Sequence, residues 1–137
     1  MSSATLTIYI TSFSFKKGYP VNFTEHGGGH VFDCRAIPNP GVLDEYKQLT
    51  GRDVEVGEYI EKQPDSHEFI LHTHAIVKQS IVRYQERGFT HLMVSFGCTG
   101  GQHRSVYFAD QLAAYCKSQF KVNVVVHHRE QGVDYKL

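Results

Sequence analysis

The segment THLMVSFGCTGGQHRSVYFADQLAAYCKSQ (residues 90–119) holds an apolar strand, a glycine-rich loop and a helix in one line. Residues 90–96 are nearly continuous in apolar side chains, as expected of a strand buried on both faces in a parallel sheet. Over residues 103–119, Val106, Ala109, Ala113, Cys116 and Phe120 recur on one helical stripe. Working outward, Phe69, Thr73, Ile76, Val77, Ser80, Ile81 and Tyr84 predict a second helix over 66–87. Asp65 with Glu68 three residues on reads as its N-cap, and Gly88 as its C-terminal glycine. Residues 4–15, 31–37 and 122–127 are rich in β-branched and aromatic side chains and read as strands. Lys16, Lys17 and Gly18 end the first, and Pro38-Asn39-Pro40-Gly41 stops the second, since proline cannot donate to a ladder. Residues 42–65 are acidic (Asp44, Glu45, Asp53, Glu55, Glu58, Glu61, Asp65) and read as short helices and turns with a solvated face. The order β, β, α, β, α, β predicts one α/β domain over residues 1–137, with a mainly parallel sheet of about four strands and crossover helices.

Composition narrows the function. The chain has 137 residues, 41% hydrophobic and 20% charged, which suits a folded domain and not a disordered one. Lys plus Arg and Asp plus Glu are both 14, so the formal charge is zero and a general polyanion binder is not expected. No apolar run has the length of a membrane span. The N-terminus lacks the basic region of a signal peptide. Three widely spaced cysteines, Cys34, Cys98 and Cys116, suit a reducing compartment, so a cytoplasmic location without disulfides is expected. Nine histidines raise the question of metal, but there is no CxxC pair and no HExxH. His72 and His74 would lie on different sides of a helix, and the adjacent His127 and His128 on opposite faces of a strand. No metal and no cofactor are expected.

The loop Gly97-Cys98-Thr99-Gly100-Gly101-Gln102-His103-Arg104-Ser105 carries the chemistry. Its glycines let the backbone approach a ligand closely. A turn from the carboxyl end of a strand into a helix gathers unbonded N–H groups and the positive end of the helix dipole. That edge of an α/β sheet is also where ligands bind. Thr99 and Ser105 add hydroxyls, and Arg104 adds a guanidinium fork suited to phosphate. Residues 98–105 therefore read as an anion site, most simply for phosphate. Neither GxxxxGK[ST] nor GxGxxG is present. Cys98, five residues, then Arg104-Ser105 does match the cysteine phosphatase spacing C-x5-R-[ST]. On that alternative reading Cys98 attacks phosphorus, Arg104 holds the oxygens and Asp33 is the general acid.

The same loop with its flanks, GCTGGQHRSVYFADQLA, resembles the C-terminal domain of the RNase adapter RapZ family. SFSFKKGYP (12–20), VFDCRAIPNP (31–40), LTG (49–51) and VHHR (126–129) extend the resemblance in the same order. The family joins this domain to an N-terminal P-loop domain, to which its nucleotide-binding label belongs; this chain is read as the C-terminal type alone. The resemblance implies binding of a phosphorylated amino sugar such as glucosamine-6-phosphate, with regulatory output through a protein or RNA partner and with no catalysis. Self-association is left open. The family's tail is basic after its HR pair, whereas this one reads EQGVDYKL, so weak RNA binding is expected. The family's D-x-R implies that Asp33 and Arg35 line the site or stand just behind it, and Asn39, between two prolines, with His128 and Arg129, at a strand end, are read in the same way, as lining the site or standing just behind it. Lys16 and Lys17 read as surface cations. Cys34, Cys116, Tyr107 and Tyr115 read as packing residues.

Overall fold

The computed structural model describes residues 5–21 and 29–137. The elements are β1 (Thr7–Ser14), β2 (His30–Asp33), α1 (Val54–Glu61), α2 (Pro64–Glu86), β3 (His91–Cys98), α3 (Arg104–Gln119), β4 (Asn123–His128) and β5 (Val133–Lys136). The sheet runs β2-β3-β1-β4-β5. The first four strands are mutually parallel, and β5 is antiparallel to β4. The α/β class is as expected, with five strands in place of about four. The extra strand is short, sits on an edge and follows Gly132 at φ +65°. A four-residue strand of alternating exposure carries little periodicity, which is why the sequence does not announce it.

Several boundaries shift for identifiable reasons. Residue 4, the start of the expected first strand, lies outside the described residues. The second strand pairs only over His30–Asp33. Cys34 still donates its N–H to Gly97 O at 2.8 Å, then Ile37 N–H turns back to Cys34 O. α2 starts earlier than expected. Gln63 is its N-cap and Pro64 its first residue, so Asp65 lies inside the first turn and forms no cap. Proline suits that position because the N–H it lacks would have no helical partner. At the other end Gly88 (φ +70°) does act as expected. Its N–H reaches Gln85 O and the N–H of Phe89 reaches Tyr84 O, which closes the helix.

The core follows the apolar pattern. β3 is buried from Leu92 to Cys98. On α3 the stripe Val106, Ala109, Ala113 and Cys116 is fully buried, and the helix lies on β1, β3 and β4. Thr73, Val77 and Ile81 turn α2 inward, while Ile76 is 44% exposed, on the outer side of that helix. Cys34, Cys116 and Tyr107 are packed as expected, and burial pushes the Cys116 thiol up to about 12. The parallel strands bring four chain ends to one edge: Ser14, Cys34, Cys98 and Arg129 lie at or just past the carboxyl ends of β1, β2, β3 and β4. Among the described residues no helix is long and apolar enough to cross a membrane, and no cluster of three His, Cys, Asp or Glu could hold a metal.

Candidate functional site: an anion cradle at the carboxyl edge of the sheet

The loop from Cys98 to Ser105 lies at this edge and opens α3. The helix has no side-chain cap at its N-terminus. Among the described residues no acceptor takes the N–H of Gly100, Gly101, Gln102, His103 or Arg104. Five backbone donors are thus left at the positive end of a 16-residue helix. A methyl group added at Gly100 would meet nothing within 4 Å, so this residue faces open space. Gly101 differs. It has φ +72°, and a Cβ there would lie 2.6 Å from Glu130 Cγ and 3.0 Å from Ser14 N. Only glycine fits that close approach.

Arg104 is 4% exposed, and its side chain reaches under the loop. One terminal nitrogen, Nη1, donates to Arg35 O at 3.1 Å and to Ile37 O at 2.8 Å. Nη2 makes only a long contact of 3.5 Å with Thr99 Oγ1, and the buried Nε has no partner. Among the described residues no carboxylate lies within ion-pair distance of this guanidinium. A buried cation held on one side by carbonyls and unpaired on the other is ready to take an anion.

Beneath the loop Cys98 and Ser105 face each other. The Cys98 thiol donates to Ser105 Oγ at 3.1 Å, and Ser105 N–H donates to Cys98 Sγ at 3.4 Å. Both residues are buried, so they form the floor of the cradle. The His103 ring turns away, its Nε2–H donating to Tyr46 O at 3.0 Å, and leaves the backbone of His103 to the loop. Gln102 is tied outward on both its groups. Its Oε1 accepts from Gln131 Nε2, and its carbonyl accepts from Gly51 N–H.

The neighbouring strand ends are pinned to the loop. Ser14 Oγ–H donates to Thr99 O at 2.6 Å, and Ser14 N–H donates to Glu130 Oε2 at 2.8 Å. Burial pulls the Glu130 carboxyl upward, but the Ser14 N–H and the Arg129 guanidinium outweigh it and hold it below the usual range. Arg129 spans the gap, donating to Glu130 Oε2 and to the carbonyls of Ser14 and Gly18. Asp33 and Arg35 form an exposed two-pronged pair, with Nη2 to Oδ2 at 2.7 Å. The Arg35 hydrogen bonds hold the Asp33 carboxyl below its ordinary value. Asn39 serves its own turn by accepting Gly41 N–H. His128 is fully buried between Ser12 Oγ at 2.7 Å and Asp110 Oδ1 at 2.8 Å, so its ring fastens β4 to β1 and α3 and does not face the loop opening.

The profile of the RapZ C-terminal domain matches residues 6–132. The chain belongs to that family. Among its relatives are proteins named nucleotide-binding protein. One, from Staphylococcus epidermidis, is 38% identical over 130 residues, covering 95% of this chain and 41% of the relative. Another, from Methylibium petroleiphilum, is 38% identical over 125 residues, covering 91% and 39%. A third, from Staphylococcus aureus strain JH9, is 37% identical over 130 residues. The chain spans about two-fifths of the length of these relatives. The name they carry therefore belongs to longer proteins, of which this family's domain is one part.

Four residues of the site escape a reading of the sequence alone. Ser12 and Ser14 alternate along β1 and face the loop and β4, and such spacing in a strand could have marked them. Glu130 reads as a departure from a basic tail, yet it is the acceptor that fixes Ser14. Asp110 lies mid-helix and gathers His128, Tyr135 and Arg52 from three separate segments, which only the fold brings together.

Proposed function

We propose that this chain binds a phosphorylated small molecule at the 98–105 cradle and acts as a sensing module, with an amino-sugar phosphate such as glucosamine-6-phosphate as the ligand. The observation that carries this reading is Arg104: a buried guanidinium that has no carboxylate partner among the described residues, beside five backbone N–H groups for which those residues offer no acceptor. An anion of two or more oxygens satisfies both sets of donors at once. Output runs to a protein partner in preference to RNA, because zero net charge and an acid-containing tail offer little to a phosphate backbone. Titration of inorganic phosphate and of glucosamine-6-phosphate, followed by backbone amide shifts, tests the reading. The largest responses are expected at residues 99–105; responses centred elsewhere sink it.

The Cys98–Ser105 pair is the one observation that favours the phosphatase alternative, because a hydroxyl beside the thiol would steady a thiolate. The acid is wanting. Asp33 is bound at both oxygens by Arg35 and held ionised well into the acid range, so it has no proton to give at neutral pH. We therefore assign binding and not turnover to the cradle.

A further inference from the structure

Two free thiols lie side by side beneath the cradle. β2 and β3 pair in parallel, with Phe32 beside Phe96 and Asp33 beside Gly97. Cys34 N–H continues that ladder to Gly97 O at 2.8 Å, so the next pair in register is Cys34 beside Cys98. Side chains alternate along a strand, so this pair shares the face of Phe32 and Phe96. Those two rings lie 5.4 Å apart, and Phe96 meets Phe69 of α2, which marks the helix-covered face. Both thiols are buried in one core cluster, and both are free. Neighbouring strands run about 4.8 Å apart, inside the range of about 4.4–6.8 Å that a disulfide spans between Cα atoms. Cys116 is the remaining cysteine and lies about 18 Å along α3 from Arg104, out of reach of the pair. The pair also stands at two joints of the cradle. Cys98 exchanges two hydrogen bonds with Ser105, and Cys34 opens the turn whose carbonyls at Arg35 and Ile37 hold Arg104. Burial, and then the neighbouring Cys98 sulfur, push the Cys34 thiol well above its ordinary range, while Arg104 pulls against them.

We infer that Cys34 and Cys98 form a modification site: a reversible disulfide between them ties β2 to β3 under the loop and weakens the hold of the cradle on phosphate. The oxidant is a hydroperoxide, a small neutral molecule that reaches Cys98 by the opening that admits phosphate, where Gly100 faces open space. That route, and the effect on phosphate, rest on the anion-binding reading above. The Cys98 sulfur attacks the outer peroxide oxygen, the O–O bond breaks, and the alcohol or water that leaves takes the thiol proton. Cys98 is thereby oxidised to the sulfenic acid. The Cys34 sulfur then attacks the Cys98 sulfur, and the sulfenic hydroxyl leaves with the Cys34 proton as water. A dithiol reductant reverses the bond by thiol exchange. The new bond turns the Cys98 sulfur from Ser105 towards Cys34 and removes the hydrogen that Ser105 Oγ accepts. The first turn of α3 then loses its tie to the end of β3, and the floor of the cradle shifts.

Treatment of the reduced full chain with hydrogen peroxide, followed by thiol counting, intact mass and peptide mapping, tests the link. Calorimetric titration with inorganic phosphate tests its effect. The parent is expected to lose two of its three thiols, with Cys34 and Cys98 in one cross-linked peptide and all three thiols restored by dithiothreitol. Cys116→Ala is expected to form the same link, and Cys34→Ala none. The oxidised parent is expected to bind phosphate about tenfold more weakly than the reduced one, in keeping with the loss of one hydrogen bond. By reciprocity, phosphate present during oxidation should slow the link. A folded parent that keeps its thiols, or links through Cys116, overturns the site. Equal phosphate affinity in the reduced and oxidised forms overturns the switch. A reduced parent that binds no phosphate refutes the cradle and the switch with it, while the mapped peptide reads the link by itself, so the two failures are told apart.

Discussion

Arg104→Lys isolates the fork geometry of the buried guanidinium while keeping its charge. In the parent, Nη1 is committed to Arg35 O and Ile37 O, Nη2 makes only a long contact with Thr99 Oγ1, and the buried Nε has no partner among the described residues. A lysine has one ammonium in place of three nitrogens held in a plane. It either holds the carbonyls of the 35–37 turn or meets the anion, and each choice forfeits one set of contacts. A charge-assisted hydrogen bond contributes about 1.5–3 kcal/mol. At about 1.4 kcal/mol per decade, phosphate affinity should fall by roughly tenfold to 150-fold. Arg104→Met removes the charge altogether. It leaves the two carbonyls unpaired at about 1–3 kcal/mol each, offset in part because no bare cation remains buried. Calorimetric titration with inorganic phosphate at fixed ionic strength measures the binding, and circular dichroism with urea unfolding confirms the fold. A folded Arg104→Lys protein that binds phosphate within threefold of the parent would refute the reasoning, because the planar fork would then have no part in holding the anion.

Further outcomes follow from the same geometry. Cys98→Ser should change phosphosugar affinity by less than about 1.4 kcal/mol, and p-nitrophenyl phosphate should not be turned over by either protein; turnover that vanishes with the substitution would promote the phosphatase. Gly100→Ala should leave the melting temperature near that of the parent, because its Cβ meets nothing, yet weaken phosphate binding; Gly101→Ala should lower stability by about 1–3 kcal/mol, since its Cβ would press on Glu130 and on the Ser14 backbone. Glu130 has a depressed carboxyl, so its contribution to stability is present above the ordinary glutamate range and is lost as pH falls through the lower folded value. The stability gap between the parent and Glu130→Gln, measured by urea unfolding, should therefore be full at pH 7 and close in acid; a gap that widens in acid contradicts the assigned partners. Structured RNA at about 150 mM salt should bind far more weakly than nanomolar in a filter or anisotropy assay.

The sheet and the cradle differ in how far they can be read from the chain. β3, α3 and the loop between them are legible because their signals are local: an apolar run, a 3.6-residue stripe and a glycine-rich turn. The start of α2 is misplaced because Asp65 and Glu68 mimic a capping box, while Pro64 settles the first turn by having no N–H to satisfy. Asp33 and Arg35 are legible as a pair, but the reach of Arg104 to the carbonyls of Arg35 and Ile37 spans 69 and 67 residues and leaves no trace in spacing. His128 illustrates the limit in the other direction. Its place beside Arg129 at a strand end suggests a ligand contact, yet the alternation of β4 turns its ring inward to Ser12 and Asp110.

The ties between the four parallel strand ends explain how the cradle keeps its shape. Each end is bonded to another: Ser14 to Thr99 and Glu130, Ser12 to His128, Cys34 to Gly97, and the 35–37 turn to Arg104. None of these bonds needs a ligand, so the loop is held in its binding shape beforehand and an anion has little chain entropy to remove. Among the described residues these bonds bring no carboxylate within ion-pair distance of Arg104. The carbonyls that hold Arg104 supply dipoles, not a full negative charge, and the helix dipole at the same spot is also positive. The fold thus gathers positive potential, from a buried guanidinium and a helix N-terminus, under one loop of a chain whose formal net charge is zero. A phosphate relieves it by entering, and the same rigid bonds would carry that relief to β1, β2 and β4 together. Phosphate should accordingly raise the resistance of all three strand ends to hydrogen exchange, Ser14 and Cys34 included, and not of residues 99–105 alone. Protection confined to the loop would show that the ties between the strand ends do not transmit binding.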